Sequence, residues 1–180
     1  MKNCWGKTIL SVYRYLEIIA GAIDKLVETR ALYSRHQNSS NYSSSNVFHT
    51  CEKITELTDK KVLLINLKIL CEKALFAIDR KYARVLTAKY VDERRSSQSA
   101  ELFGVCSRTY FRYVALAEDC FEKELAKMGY DSVRLREECK DEVWIMNVYN
   151  QLISSKGDDI VVLDKKALDR VYSSYRAVSL

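Results

Sequence analysis

The sequence predicts an all-α protein, and three features of its composition favour this class. The chain has 180 residues with no proline and only five glycines. Because these two residue types are the usual helix breakers, little interrupts long helices. Apolar residues make up 48% of the chain, enough to form a core. The sequence therefore predicts a folded helical protein with a few long helices.

The first 78 residues have the pattern of a long antiparallel helical hairpin. Apolar residues recur every three or four positions from Ile9 to Tyr33, which predicts a first helix over about 7–35. The Ser- and Asn-rich segment 37–46 is expected to form the hairpin tip, since these side chains compete for backbone hydrogen bonds. A second helix is predicted over about 47–75. Its centre, VLLINLKIL, is apolar on more than one face, and a homodimer interface or packing within the chain explains this equally well.

Residues 79–128 have the spacing of a helix-turn-helix domain. A helix is predicted over 79–91, followed by a polar connector and the segment SSQSAELFGVCSRTYFRYVALAEDCFEKEL. In this segment the small residue Ala100 stands four positions before Gly104. A small side chain permits close crossing of two helices, and glycine adopts the positive φ of a tight turn most easily. We therefore expect the second helix of the motif to begin near Ser107.

The second helix of the motif has two contrasting faces. One stripe is apolar and is expected to face inward (Tyr110, Val114, Ala117 and Phe121), while Arg108 and Arg112 lie on the opposite stripe. Arginine pairs bidentately with guanine in the major groove, and Phe111 suits a thymine methyl group. Ser107 and Thr109 are expected to contact phosphates. Arg94 and Arg95, just before the motif, are candidates for neutralising the DNA backbone, as are Arg80, Lys81 and Arg84.

Residues 129–180 are expected to form a helical C-terminal extension without chemistry of its own. Gly129 is typical of a helix C-cap. One amphipathic helix is predicted over about 133–153, then a loop, a short strand at IVVL (160–163) and a last helix.

Other classes of function find little support in the sequence. It has no Gly-rich phosphate loop, no clustered carboxylates and no nucleophile with a nearby histidine, so we expect no enzymatic activity, cofactor or metal. Six scattered cysteines indicate thiols in a reducing cytoplasm. Charged residues interrupt each apolar stretch, so no membrane span is expected. The net charge of +5 is compatible with a polyanionic partner.

The stretch ARVLTAKYVDERRSSQSAELFGVCSRTYFRYVALAEDCFEKEL resembles the fourth region of bacterial sigma factors. With the preceding hairpin, it is similar to the small sigma-like regulators of phages and prophages of Gram-positive bacteria. The resemblance lies in Tyr90-Val91, in the Ala-Glu-x-x-Gly segment at Ala100–Gly104 and in the start of the recognition helix at Ser107–Tyr110. It implies a transcription regulator that binds double-stranded DNA and works beside RNA polymerase. The sequence departs from this family at Cys106, where a capping serine is usual, and at Ser99, where an apolar residue is expected.

Two further functions fit the same sequence pattern. A phage DNA-packaging recognition protein, like a terminase small subunit, also joins a helix-turn-helix to long oligomerising helices. A helical interaction adaptor that retains the motif only as a fold is the alternative without DNA. Assembly into a ring would indicate the DNA-packaging protein, and failure to bind any DNA duplex would indicate the interaction adaptor.

Overall fold

The computed structural model describes residues 4–37, 44–155 and 163–179. These residues form eight α-helices and one π-helical turn, and no strand occurs among them, so the all-α prediction is confirmed. The helices are α1 (Trp5–Gln37), α2 (Ser44–Ala77), α3 (Arg80–Leu86), α4 (Ser96–Leu102), α5 (Ser107–Lys127), α6 (Ser132–Cys139), α7 (Val143–Ser154) and α8 (Lys165–Ser179); the π turn, Thr87–Val91, follows α3 directly.

The described residues divide into two compact units. Those within Met1–Arg14 and Leu67–Val162 form unit 1, and those within Tyr15–Asn66 and Leu163–Leu180 form unit 2. This partition differs from the three segments expected from the sequence, 1–78, 79–128 and 129–180, which stay a prediction. Most of the expected hairpin tip, residues 38–43, lies outside the described residues, as does most of the expected strand at 160–163.

Unit 2 contains parts of α1 and α2 together with α8. The apolar repeat of α1 is buried at Leu16, Ile19 and Ile23, while Tyr33, at its predicted end, is exposed. An ion pair of 2.6 Å joins Asp24 of α1 to Lys61 of α2.

Helix α8 also belongs to the core of unit 2. Its Val171 and Tyr175 are buried, and the backbone N–H of Leu163, just before it, donates to the Tyr15 hydroxyl at 3.1 Å. One face of α8 is therefore buried in the core of unit 2.

Unit 1 is built around α5, which packs against α3 and α4. The first turns of α1 also belong here. Gly6 approaches α5 so closely that a Cβ at this position would lie 3.4 Å from the Cβ of Glu122. Buried Trp5 stacks on Tyr149 of α7 with ring centroids 4.5 Å apart. The chain's beginning and its extension therefore pack into one core with the expected helix-turn-helix.

Two helices predicted as continuous are interrupted. The helix expected over 79–91 is α-helical only to Leu86 and continues as the π turn. The helix expected over 133–153 is two helices, α6 and α7, and that prediction was wrong. The break falls at Glu142, whose φ of −94° and ψ of 83° leave the helical region. The Glu142 carboxylate is buried there and accepts a hydrogen bond from the Trp144 indole at 3.1 Å.

Candidate nucleic-acid interface

The turn between α4 and α5 is closed by backbone hydrogen bonds around Gly104. Gly104 has a φ of +63°, and its N–H donates to the Glu101 carbonyl at 2.9 Å. The Val105 N–H donates to the Ala100 carbonyl at 3.0 Å. These are the two bonds of a Schellman motif, which ends a helix with a residue in the left-handed conformation. The chain thus leaves α4 and begins α5 within four residues, with glycine at the position that the sequence indicated.

Cys106 occupies the N-cap position of α5, but its side chain makes no capping hydrogen bond. Its Sγ instead lies 3.2 Å from the Thr109 hydroxyl oxygen. This hydroxyl, together with backbone N–H groups at the helix start, lowers the pKa of the exposed Cys106 thiol below its ordinary value. Thr109 is half-buried. Its hydroxyl, which the sequence suggested as a phosphate contact, is already engaged with Cys106.

The two faces of α5 are separated as their spacing indicates. Tyr110, Val114, Ala117 and Phe121 are all buried. Arg108 and Arg112 are exposed, one turn apart, near the start of the helix. In the described part of the chain, neither guanidinium is engaged in an ion pair. Two unneutralised cations therefore project from the first turns of α5.

The remaining predicted site residues lie around this helix start. Ser107 is exposed, and so is Phe111, 40% of whose surface is accessible. The rings of Phe111 and Tyr110 pack edge to face with centroids 6.1 Å apart. Arg94 and Arg95 are exposed just before α4. Arg94 differs from Arg95 because its Nε donates to the Asp92 carboxylate at 3.2 Å.

A buried ionic network fixes α5 on its opposite side. Glu118 accepts hydrogen bonds from Lys89 Nζ at 2.9 Å and from the Tyr90 hydroxyl at 2.7 Å, and Lys7 Nζ lies 2.9 Å from its other oxygen. The side chains of Lys89 and Glu118 retain about a tenth of their surface. Because low polarity strengthens such contacts and penalises an unpaired member, the network ties α1, the π turn and α5 to one another.

No family model matches this chain, and no curated protein or solved structure matches it significantly. Among the described helices, none combines the length and apolar character that crossing a membrane requires. The same residues contain no cluster of three or more side chains suited to binding a metal ion.

The network around Glu118 was missed in the sequence. Lys89 lies in the basic segment before the helix-turn-helix, and its side chain is buried in unit 1. Two signals were available. Glu118 stands beside the apolar stripe of α5, four residues after Val114 and three before Phe121, and Lys89 lies between Ala88 and Tyr90. A charged residue that stands among buried apolar residues is typical of a buried ion pair. The spacing of residues in the sequence does not indicate which residue is its partner.

Ser99, the second departure from the sigma-like pattern, lies where an apolar side chain was expected. It is fully buried, and its hydroxyl oxygen has no hydrogen-bond partner among the described residues. An unsatisfied buried hydroxyl costs about 1–3 kcal/mol. The surroundings of position 99 therefore suit an apolar side chain, although the residue there is a serine.

Proposed function

We propose that this protein is a DNA-binding transcription regulator that places the start of α5 in the major groove. A helix inserted there reads base edges through side chains of its first turns, while neighbouring groups hold the phosphates. The proposal assigns base readout to Arg108 and Arg112. Ser107 and Arg95 then serve as phosphate contacts, and Phe111 packs against a thymine methyl group.

The observation that carries this proposal is the pair of exposed arginines following a glycine turn. Arg108 and Arg112 lie on the same face of α5, free of ion pairs within the described residues, directly after the Gly104 corner. A solvated helix face usually balances its cations with acids at the next turn, as Lys123 and Asp119 do further along α5 at 2.7 Å. The start of α5 lacks this balance, which favours an anionic partner.

The other residues of the predicted site take supporting roles in this proposal. Arg94 is shared between Asp92 and the DNA backbone, since its Nε already has a carboxylate partner. Thr109 stays a predicted phosphate contact, and its hydroxyl oxygen also lies 3.2 Å from Cys106 Sγ at the helix start. The buried face of α5 and the Glu118 network hold the helix at a fixed angle, which a base-reading helix requires.

Two protein partners belong to the same proposal. RNA polymerase follows from the sigma-like pattern, and a homodimer follows from the apolar surplus of α2. Within unit 2, Val62 and Ile65 are exposed on α2 three residues apart, a spacing that also occurs in coiled-coil seams. Light scattering of the purified chain tests the assembly: a monomer or dimer agrees with a regulator, and a ring of many subunits favours DNA packaging.

The experiment that tests DNA binding begins with selection of duplexes from a random library. The selected site is then measured by gel shift against a scrambled duplex, for the wild-type chain and for Arg112→Ala. Loss of one bidentate base contact should weaken binding to the selected site about 5- to 160-fold, because such a contact contributes about 1–3 kcal/mol of discrimination. The scrambled duplex should lose much less. Arg136→Ala, which removes an exposed cation of α6, is the matched control.

Two results would contradict the proposal. Absence of retardation of any duplex at low salt would leave the interaction adaptor as the remaining function. Equal weakening of selected and scrambled duplexes by Arg112→Ala would reduce Arg112 to a phosphate contact and remove the assigned base readout.

A further inference from the structure

Unit 1 contains a cleft of about 340 Å³, and no residue of α5 is among those that line it. Its walls come from α3, the connector before α4 and the end of α4. Three arginines line it, Arg80, Arg84 and Arg94. The cleft is large enough for a small ligand, since ligand pockets in proteins begin near 300 Å³.

The charges in this cleft are unbalanced. Asp92 is the one acidic residue among its lining residues, and it holds the Nε of Arg94 at 3.2 Å. Over the part of the chain that the structure describes, Arg80 and Arg84 take part in no ion pair. Thr87, three residues after Arg84, also lines this cleft. Several donors therefore meet there with little anionic charge to satisfy them.

The apolar wall of the cleft holds one of the arginines in place. The guanidinium carbon of Arg84 lies 5.7 Å from the centroid of the Phe103 ring. Leu102, beside it, remains more than half exposed although it ends a helix inside unit 1. An aromatic ring behind a guanidinium limits its motion without occupying its hydrogen-bond donors, so Arg84 is positioned for a bidentate partner.

This cleft lies on a different face of α3 from the one that meets α5. Arg80, Arg84 and Thr87 recur at intervals of four and three residues, so they share one face. The next residue, Lys81, is turned about 100° around the helix, and its ammonium lies 3.7 Å from the Tyr113 ring of α5. A ligand in the cleft would therefore approach α3 from another side than α5 does.

We propose that the Arg80–Arg84–Arg94 cleft, which shares Arg94 with the proposed DNA interface, is a further anion site that binds a phosphoryl group. Phosphate offers three acceptor oxygens and up to two negative charges, and planar guanidinium groups match this geometry bidentately. The phosphoryl group belongs either to a free nucleotide-like molecule or to a backbone segment of the DNA. Only the second source rests on the proposed function.

The first test uses small anions. Pyrophosphate and ADP are titrated into the full-length protein at low salt, with calorimetry as the readout. Arg80→Ala/Arg84→Ala should weaken binding at least tenfold. Lys73→Ala/Arg136→Ala removes the same charge from exposed positions of α2 and α6 and should change it less than twofold. Arg80→Lys/Arg84→Lys keeps the charge but lacks the bidentate fork, and should weaken binding about threefold or more.

The second test measures DNA at increasing salt. If the phosphoryl group belongs to the DNA backbone, Arg80→Ala/Arg84→Ala should reduce the slope of log K against log salt by about 1.8, since each phosphate contact contributes about 0.9. The control pair should leave the slope unchanged. Circular dichroism of each variant before titration verifies that the helices are retained.

The outcomes separate this inference from the proposed function. Saturable binding of pyrophosphate or ADP that depends on Arg80 and Arg84 supports the cleft even if no duplex binds. A reduced salt slope without small-anion binding supports the backbone as the source. If the alanine pair behaves like the control pair in both tests, the inference is overturned while DNA binding by α5 stands. Tighter saturable binding of a glutamate-rich peptide than of pyrophosphate would also overturn it.

Discussion

At the scale of single residues, the fold alters the acidity of one side chain at the proposed interface, the thiol of Cys106. This thiol is exposed, and the Thr109 hydroxyl lowers its pKa. Because the thiolate is the nucleophile, alkylation by iodoacetamide should proceed at a lower pH than for an ordinary thiol. Thr109→Val removes the hydroxyl at similar volume. It should shift the pH–rate profile of Cys106 to higher pH and slow the reaction at pH 7.5.

Cys51 provides the internal control for that measurement, because it is exposed on α2, distant in sequence from Thr109. Peptide mapping by mass spectrometry follows both cysteines in one sample. The Cys51 rate should be the same in both proteins. Identical Cys106 profiles in the wild type and Thr109→Val would show that the hydroxyl does not stabilise the thiolate.

Glu118 is the residue on which the stability of unit 1 should depend most. Glu118→Ala would leave buried Lys89 without this carboxylate and would remove the ion pair between Lys7 and Glu118. Removing one member of a buried ion pair costs about 3–5 kcal/mol. Urea unfolding followed by circular dichroism should therefore show a much lower midpoint. The adjacent Asp119→Ala breaks only an exposed pair with Lys123 and should leave the midpoint nearly unchanged; similar midpoints for both variants would contradict this role.

At the scale of elements, two glycines should respond to alanine in opposite directions. Gly104 has a φ of +63° and open space where a methyl group would project, so alanine there meets only backbone strain, about 1–2 kcal/mol of destabilisation. Gly21 lies within α1, also with open space and without a positive φ. Alanine at Gly21 should stabilise the protein by about 0.5–1 kcal/mol.

The measurement for this pair is the thermal midpoint of each single variant. A Gly104→Ala protein as stable as the wild type would mean that the turn has another conformation. Since both substitutions add a methyl group into open space, the difference between their shifts in thermal midpoint reports the effect of backbone conformation.

The elements differ in how far the sequence predicted them. Helix α5 was predicted well because its apolar stripe is continuous and its start follows a glycine turn. The break between α6 and α7 has no glycine or proline, and it depends on a buried carboxylate and an indole that spacing does not reveal. The π turn was missed for a similar reason: Lys89 and Tyr90 both reach Glu118, almost thirty residues later.

At the scale of the whole molecule, the segment 79–128 should not fold by itself. Its helix α5 relies on Lys7 and on the close approach of Gly6, and Trp5 stacks on Tyr149 beyond the segment. A segment of about 50 residues also buries a smaller fraction of its surface than a longer chain, so its stability is marginal before these contacts are lost. The isolated segment should therefore lack a cooperative thermal transition by circular dichroism, whereas the full chain shows one. A cooperative transition of the segment would contradict this.

The division into units was the part of the fold least accessible from the sequence. Segment boundaries were predicted from changes in composition along the sequence, such as the Ser-rich segment 37–46. The compact units depend instead on contacts between residues that are distant in sequence. Trp5 and Tyr149 illustrate this, because nothing in either neighbourhood indicates that the two rings stack. The candidate site was more accessible, since Arg108 and Arg112 lie on one local helix face.

The π turn also has a consequence for recognising distant relatives of this chain. A π turn accommodates one residue more than the α-helical turn it replaces. A homologue with an uninterrupted helix at this place would therefore be one residue shorter between Leu86 and Asp92. An alignment without a gap in this region would be wrong by one position for all residues after it. Residues that face inward in the relative would then be paired with residues that face outward in this chain. Searches that allow a single insertion at 87–91 should preserve the correct phase on both sides.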